Sequence, residues 1–289
     1  MRLRGTVINA DSMQVYRELS VLTARPSEAD QHKAPHRLYG TVPAAEVYSA
    51  GRWATDAASA IVEAREDGRL AILVGGTGLY FKALTEGLAP VPDIPADIRD
   101  YWRTQSQALG PESLHQALAE RDPVMAARLR PSDPQRLVRA LEVIDATGLS
   151  LADWQEGSVA SPVLAPGEAL KLLIAPERDA VYAAIDARFE AMLAANAVEE
   201  VRRLAALHLD KGLLDKGLPA MRAHGVRELT AYLSGAITLE EAAAKAKTET
   251  RRYAKRQMTW ARRFMADWEW VPDGDLAVKA VMAALHPSP

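Results

Sequence analysis

Short apolar segments that end at turn residues, with helical patterns between them, most constrain the fold. Residues 6–8, 70–74 and 170–175 are such segments; two glycines follow the second and a proline follows the third. Residues 50–66 have apolar side chains at helical spacing, and Ser49 is placed to cap a helix there. Alternation of buried strands and helices predicts an α/β protein with a parallel sheet. The apolar face of the helix at 50–66 should contain Trp53, Ala57, Ala60, Ile61 and Ala64.

Composition is that of an ordinary globular protein and excludes several classes of site. The 289 residues are 48% hydrophobic and the formal net charge is −3, so a nucleic-acid partner would need a local cluster of basic residues. The sequence contains no cysteine, no metal-ligand spacing among its histidines and no Gly-x-Ser-x-Gly motif. These observations argue against a zinc enzyme, a protease or an esterase. No signal-peptide pattern or membrane-length apolar run is found, so we expect a cytoplasmic protein with no membrane partner.

Proline-rich joints divide the chain. Residues 87–95 contain three prolines and no periodicity, residues 96–156 show helical patterns, and a second loose stretch follows. This pattern predicts an all-helical insertion domain at 92–169. The α/β core would then consist of residues 1–91 and 170–289.

Asp11, just after the first apolar segment, has two interpretations. With Gln14 it forms an Asp-x-x-Gln capping-box pattern, in which the carboxylate accepts a backbone N–H. Alternatively, it lies past the carboxyl end of a parallel strand, where open α/β sheets bind ligands. A carboxylate there could take a proton or hold a cation.

The segment Gly75-Gly76-Thr77-Gly78 also follows a strand and begins a helical pattern. It is either a plain glycine turn or a site where backbone N–H groups at a helix N-terminus receive an anionic oxygen, with the Thr77 hydroxyl as a further donor. Because this segment and Asp11 both follow strands, we expect them at the same edge of the sheet.

Residues 251–263 contain six Lys and Arg residues and no acidic residue. On a helix, Arg252, Lys255, Arg256, Thr259 and Arg263 would lie roughly along one side. The segment is either a solvated face or a contact surface for a phosphate backbone, and its lack of acidic residues favours the second.

Six ordered motifs carry a family resemblance: "INADSMQVYRELSVLTARPS", "APHRLYG", "LVGGTGLYFKAL", "DPQRLVRALEV", "RAHGVREL" and "AKRQMTWARR". They resemble the tRNA dimethylallyltransferase (isopentenyltransferase) family over essentially the whole chain. The resemblance implies a P-loop-NTPase-like parallel sheet core, of a nucleotide- and ATP-binding type, with a helical insertion. It also implies transfer of a dimethylallyl group from dimethylallyl diphosphate to N6 of the adenosine on the 3′ side of a tRNA anticodon, with Mg²⁺ as cofactor, the anticodon stem-loop as partner and a monomeric enzyme.

The resemblance also implies roles for individual residues. Asp11 matches the general base, Thr77 the hydroxyl beside it, and Arg188 an arginine of catalysis and diphosphate binding. Gly75 and Gly76 are further candidates for diphosphate binding, and no residue is assigned to a metal. The residues that match tRNA contacts are Asp11, Ser12, Met13, Gln14, Arg99, Gln135, Arg136, Leu137, Val138, Arg139, Arg222, Ala223, His224, Gly225, Val226, Arg227, Lys255, Arg256, Gln257, Met258, Thr259, Trp260, Ala261 and Arg262.

Two rival functions stay open at this point. A small-molecule phosphotransferase on the same type of core would use ATP, and a tRNA-binding relative would have lost the chemistry. The 289 residues contain no Gly-x-x-x-x-Gly-Lys-Ser/Thr loop, which the resemblance implies immediately before residues 5–16. We therefore expect either a true start further upstream or a truncated relative that binds the diphosphate poorly and is unstable or prone to aggregation.

Overall fold

Three parallel strands form the larger sheet of the computed structural model, which describes residues 4–157, 161–207 and 218–285. The central strand is β1 (Gly5–Asn9), with β2 (His36–Arg37) on one side and β3 (Leu70–Val74) on the other. Both pairings are parallel, and Asn9 lies opposite Val74 at the carboxyl end of the β1–β3 pair. The predicted α/β class with a small parallel sheet is confirmed.

The chain divides into two compact units, the first made of the segments up to Thr85 and from Val163 onward, the second of Glu86–Pro162. The helices of the first unit are α1 (Glu28–Gln31), α2 (Ala50–Glu66), α3 (Gly78–Thr85), α9 (Arg178–Ala194), α10 (Ala197–Ala206), α11 (Val226–Leu233), α12 (Leu239–Phe264) and α13 (Gly274–Leu285), with a 3-10 turn at Pro219–Arg222. The second unit contains α4 (Ala96–Ala108), α5 (Pro111–Arg121), α6 (Pro123–Arg128), α7 (Pro134–Thr147) and α8 (Leu151–Glu156). The predicted insertion, 92–169, overlaps most of this second unit. The predicted boundaries lie six or seven residues further along the chain than those of the unit.

The third predicted strand pairs outside the larger sheet. It forms β4 (Leu172–Ile174), which pairs in parallel with β5 (Glu269–Val271) in a separate two-stranded sheet. Placing it with the other two strands was therefore wrong. A short apolar run identifies a strand by its composition, but its partner is set by the rest of the fold.

Helix α2 covers the larger sheet with the apolar face that the sequence predicts. Ser49 caps its first turn by accepting a hydrogen bond from the N–H of Arg52, and the predicted face is buried. The Trp53 ring stacks on Tyr80 with centroids 4.2 Å apart. Its indole N–H donates to the carbonyl of Asn9 at 2.8 Å, which fixes the end of β1 against the helix.

The second unit has a separate apolar core. Trp102, Leu114, Leu118, Leu137 and Leu141 are among its buried side chains. Three of its helices, α6, α7 and α8, begin at a side-chain cap; for example, Asp122 accepts from the N–H of Met125 at 3.0 Å. Across the described residues of the whole chain, no helix combines the length and apolar character needed to cross a membrane.

Candidate active site

Two turns meet at the carboxyl edge of the larger sheet, one after β1 and one after β3. The N–H of Ser12 donates to Thr77 Oγ1 at 2.9 Å, and the Thr77 hydroxyl lies 3.2 Å from that of Ser12. The Thr77 N–H donates to the carbonyl of Ala10 at 3.2 Å. The expectation that Asp11 and the glycine turn open on one edge is confirmed.

The two carboxylate oxygens of Asp11 have different surroundings. Oδ1 accepts hydrogen bonds from the N–H groups of Met13 at 2.8 Å and Gln14 at 3.3 Å. Oδ2 accepts none from the described residues and faces the Gly76 turn, 3.8 Å from the position that a Cβ on Gly76 would occupy. Asp11 thus has one oxygen that fixes its orientation and one available to another group.

The capping-box interpretation is correct for the Asp11 carboxylate but not for the Gln14 side chain. The carboxylate does accept backbone N–H groups, but residues 12–15 form turns and no helix begins there. The Gln14 side chain does not reach back to the backbone of Asp11. It donates instead to the carbonyls of Thr23 at 2.8 Å and Ala24 at 3.2 Å.

Asn9 positions the Asp11 turn and was missed in the sequence. Its buried side-chain amide donates to the carbonyls of Asp11 at 2.9 Å and Leu38 at 3.1 Å. Its Oδ1 accepts the Asp11 N–H at 2.8 Å. A polar residue at the end of an apolar segment was the available signal, because an asparagine there can hydrogen-bond its own backbone two residues on.

Aromatic side chains lie within electrostatic reach of Asp11. Burial, reinforced by the Asp11 charge, raises the pKa of Tyr39 to about 12, and the same two causes raise the pKa of Tyr253. Burial lowers the pKa of His224, and the charge of Arg256 adds to that effect, whereas Asp11 opposes it. The rings of His224 and Tyr253 are 4.8 Å apart. Neither tyrosine was among the predicted site residues.

Protein atoms approach the glycines of the second turn closely. A Cβ on Gly75 would lie 2.1 Å from the carbonyl carbon of Ala10. A Cβ on Gly76 would lie 2.4 Å from Nε2 of Gln257, which donates to the Gly76 carbonyl at 2.9 Å. Packing against backbone atoms therefore requires glycine at position 75, whereas the contact at Gly76 is with the end of a flexible side chain. Diphosphate binding by Gly75 and Gly76 stays a prediction.

Helix α12 carries basic residues of two kinds. Arg251 and Arg252 are paired with Asp186 and Glu249, each at 2.6 Å, so carboxylates from outside the basic segment neutralise them. Within the described part of the chain, the exposed side chains of Lys255, Arg256 and Arg262 have no carboxylate partner, and we call these three the basic cluster. The same helix contacts the glycine turn with Gln257 and with Trp260, whose ring lies against Gly78.

Several residues of the predicted tRNA segments face inward. The side chains of Leu137, Ala223, Val226 and Ala261 are buried and support the surface from beneath. Gly225 is also buried, with φ +92° and the side chains of Leu22 and Phe189 against it. Any contact of these residues with RNA would have to involve their backbone atoms, and their assignment stays a prediction.

Other predicted tRNA contacts remain at the surface. Exposed side chains are those of Gln135, Arg136, Arg139, Arg222, Arg227, Lys255, Arg256, Thr259 and Arg262, and partly exposed ones are those of Asp11, Ser12, Met13, Gln14, Arg99, Val138, His224, Gln257, Met258 and Trp260. Arg99 donates to the carbonyl of Ile94 at 2.8 Å, and Arg136 pairs with Asp133 at 3.2 Å. Their role in RNA binding stays a prediction.

Arg188 lies exposed on α9. No hydrogen bond or ion pair to another described residue connects the Arg188 side chain to Asp11 or Thr77. Its neighbour Phe189 is buried and packs beneath Gly225, which fixes this part of α9. A role for Arg188 at the diphosphate stays a prediction.

The described residues contain no group of three or more His, Asp or Glu side chains that could hold a metal ion. His208 and His286 lie outside the described residues. Mg²⁺ in phosphate-transfer sites commonly takes one or two carboxylates and completes its shell with waters and substrate phosphates. The side-chain oxygens of Asp11, Ser12 and Thr77 fit that partial role and no larger one.

Comparisons with known proteins identify the family of the chain. The family model described as IPP transferase matches residues 14–264. The tRNA dimethylallyltransferase of Nitrobacter hamburgensis is 50% identical over 288 residues, which cover 100% of this chain and 88% of the relative. That of a Bradyrhizobium species (strain ORS 278) is 54% identical over 281 residues, covering 97% and 89%.

Solved structures of similar proteins extend the agreement to the fold. The full-length tRNA isopentenylpyrophosphate transferase of Bacillus halodurans is 33% identical, with a TM-score of 0.65 and coverage of 98% of this chain and 88% of that protein. A eukaryotic dimethylallyltransferase acting on tRNA is 25% identical, with a TM-score of 0.72 and coverage of 89% and 63%. The family model and the near full-length relatives together establish that the chain belongs to the IPP transferase family.

Proposed function

We propose that this protein is a tRNA dimethylallyltransferase. It transfers a dimethylallyl group from dimethylallyl diphosphate to N6 of the adenosine on the 3′ side of the anticodon. Family membership supports the proposal, and the structural observation that carries it is the arrangement of the Asp11 carboxylate. Its Oδ1 is fixed by two backbone N–H groups, and its Oδ2 is available at the sheet edge beside Thr77.

Asp11 would act as the general base. The exocyclic amine of adenine is a poor nucleophile because its lone pair is delocalised into the ring. A carboxylate that accepts the N6 proton while the C–N bond forms lowers the barrier. Asp11 Oδ2 suits this role because no described residue donates to it, while the bonds to Oδ1 hold the group in one orientation.

The aromatic side chains near Asp11 would receive the base. A base that undergoes chemistry must leave the stack of the anticodon loop and enter a pocket. Unstacked bases of single-stranded RNA pack on aromatic side chains. Tyr39, Tyr253 and His224 provide such surfaces around the carboxylate, and His224 is held toward its neutral form by burial and by Arg256.

The basic cluster on α12 would bind the phosphate backbone of the anticodon stem-loop. Its three cations are exposed and have no carboxylate partner among the described residues, unlike Arg251 and Arg252. Unpaired cations can replace the counterions of RNA without first breaking an ion pair. The exposed residues Gln135, Arg136 and Arg139 of the second unit are further candidates for the same RNA.

The leaving diphosphate needs positive charge and hydrogen-bond donors. Arg188, together with the backbone of Gly75 and Gly76, is the proposed set in this chain, on a core of the P-loop-NTPase-like type. Mg²⁺, when bound, would neutralise charge that develops on the diphosphate oxygens. The protein would work as a monomer.

The test is a transfer assay with the full chain, radiolabelled dimethylallyl diphosphate and an anticodon stem-loop that has adenosine on the 3′ side of the anticodon. We expect label to enter this RNA and not a matched stem-loop with guanosine at that position. Stem-loop binding without transfer would identify a tRNA-binding protein that lacks the chemistry. ATP-dependent phosphorylation of a small molecule, without RNA binding, would identify a phosphotransferase instead.

A further inference from the structure

Glu200 is a buried carboxylate for which the proposed chemistry has no direct use. It lies on α10 with 2% of its surface exposed. Its Oε1 accepts from the N–H groups of Ser20 and Val21, both at 2.7 Å, and from the Ser20 hydroxyl at 3.0 Å. Its Oε2 accepts from the N–H of Leu22 at 2.9 Å. The carboxylate therefore fixes three successive backbone N–H groups of one turn.

This arrangement requires a carboxylate. The Glu200 oxygens act as acceptors in all four hydrogen bonds, which a carboxylate can do with both of its oxygens. A buried negative charge is tolerated when hydrogen bonds of this kind satisfy it. A glutamine of the same shape would direct its NH₂ group at one or more backbone N–H groups and leave donors unpaired. Ala24, at the end of the same turn, has φ +51°, which is unfavourable for a residue that has a Cβ, so the turn needs external support.

The turn held by Glu200 is connected to Asp11 by hydrogen bonds. The side-chain amide of Gln14 donates to the carbonyls of Thr23 and Ala24 at 2.8 and 3.2 Å. The backbone N–H of the same glutamine donates to Asp11 Oδ1 at 3.3 Å. The path from Glu200 to Asp11 therefore contains only the 20–24 turn and Gln14.

The same turn also contacts the other side of the site. The Leu22 side chain lies against Gly225, where a Cβ would approach it to 2.9 Å. Gly225 directly follows His224, one of the rings near Asp11. Displacement of the turn would therefore reach both the carboxylate and the aromatic surface.

We propose that Glu200 is a positioning residue for the transfer reaction: it fixes the 20–24 turn so that Gln14 holds the Asp11 carboxylate in its reactive orientation. The inference rests on the proposed function for its effect on turnover. It assigns Glu200 no contact with either substrate.

The first test compares Glu200→Gln with Glu199→Gln in the full chain. Glu199 is the adjacent residue, is partly exposed, and pairs with Arg202 at 2.9 Å. We expect Glu200→Gln to lower kcat by about 10-fold or more while the Kd for the stem-loop stays within about twofold, because small misplacements of a catalytic group cost large factors in rate. Glu199→Gln should leave both unchanged. An unchanged kcat in folded Glu200→Gln, or an equal loss of binding, would overturn the proposal.

A double-mutant cycle separates positioning from general support. If Glu200 acts through Asp11, Glu200→Gln should cost less than about twofold in the Asp11→Asn background. The same factor in both backgrounds would overturn the proposal. If Glu200→Gln does not fold, Ser20→Ala, which removes only the hydroxyl bond, replaces it, and we expect a smaller loss of kcat that again disappears in Asp11→Asn.

A third measurement is independent of activity. Amide hydrogen exchange of Met13 and Gln14, the two donors to Asp11 Oδ1, should be faster in Glu200→Gln than in the wild type and unchanged in Glu199→Gln. Unchanged exchange at these two amides would overturn the proposal. If the wild-type chain transfers no prenyl group but the exchange result holds, the proposed function fails and the link between Glu200 and the Asp11 turn stands.

Discussion

The N–H of Ser12 donates to Oγ1 of Thr77 at 2.9 Å, and this bond joins two turns that lie 65 residues apart in the sequence. The pairing of β1 with β3 brings the turns to one edge, but the hydroxyl of Thr77 fixes their separation there. The geometry around Asp11 therefore depends on both strands and on this one side chain.

Asp11→Asn should separate chemistry from binding. Asparagine keeps the shape and can accept the N–H groups of Met13 and Gln14 through its oxygen, but it does not take a proton at neutral pH. We expect transfer in the radiolabel assay to fall by roughly 10²-fold or more, with the Kd for the stem-loop little changed. Asp30→Asn, at an exposed helix start, is the control. Equal losses in binding and turnover would show that Asp11 only positions the turn.

Removing the basic cluster should weaken RNA binding in a salt-dependent way. For Lys255→Gln/Arg256→Gln/Arg262→Gln, the slope of log K against log salt should become shallower by roughly 0.7 for each lost phosphate contact. The control, Arg37→Gln/Arg52→Gln/Arg65→Gln, removes the same charge from arginines that already pair with Glu63, Glu46 and Glu168. Identical slopes for the two variants would mean that the cluster is a solvated face.

His224 should contribute to acid sensitivity of the fold. Burial and Arg256 lower its pKa in the folded state below the ordinary value of 6.5. The unfolded chain therefore binds the proton more readily, so the free energy of unfolding decreases as the pH falls below about 6.5, and it is unaffected by this group at higher pH. Urea titrations between pH 5 and pH 8 should show a smaller decrease for His224→Gln than for the wild type. An unchanged pH dependence would contradict this assignment; His32→Gln, which removes an exposed imidazole, is the control.

Gly75→Ala should destabilise the fold because the new methyl group would meet the backbone of Ala10 at 2.1 Å. Ala10 directly follows β1, and its N–H donates to the carbonyl of Val74 at 2.8 Å, so its backbone cannot easily move. We therefore expect a loss on the order of 1–3 kcal/mol in the free energy of unfolding. Gly51→Ala is the matched control, since it lies in α2 with free space around it and should raise stability by about 0.5–1 kcal/mol. Chemical denaturation of both variants measures the difference. Equal stabilities would show that the Ala10 contact is relaxed at low cost.

Periodic patterns predicted part of this molecule well. Helix α2, its cap and its buried face follow from local spacing, and so does the position of Asp11 and Thr77 on one edge, because parallel strands share their carboxyl ends. Strand β2 has two residues and β5 has three, which is too short for a period to show.

The surroundings of Asp11 could not be predicted from local patterns. Tyr39 and Tyr253 lie more than two hundred residues apart in sequence numbering, and only the packing of α12 brings Tyr253 within reach of the carboxylate. Glu200 resembles its partly exposed neighbour Glu199 in sequence. Its role as an acceptor for three backbone N–H groups depends entirely on the tertiary fold.

The close packing of the glycine turn changes how a glycine-rich signature in this family should be interpreted. The backbone of Ala10 leaves no room for a side chain at Gly75, and the Trp260 ring occupies the space beside Gly78, so selection would retain these two glycines even in a member that had lost its affinity for phosphate. Their retention therefore carries no information about ligand binding. Thr77 is the informative position, because its hydroxyl accepts the N–H of Ser12. Serine would keep this bond, whereas valine would keep the shape of the side chain and lose the bond. Divergence at this position would therefore distinguish active relatives from inactive ones.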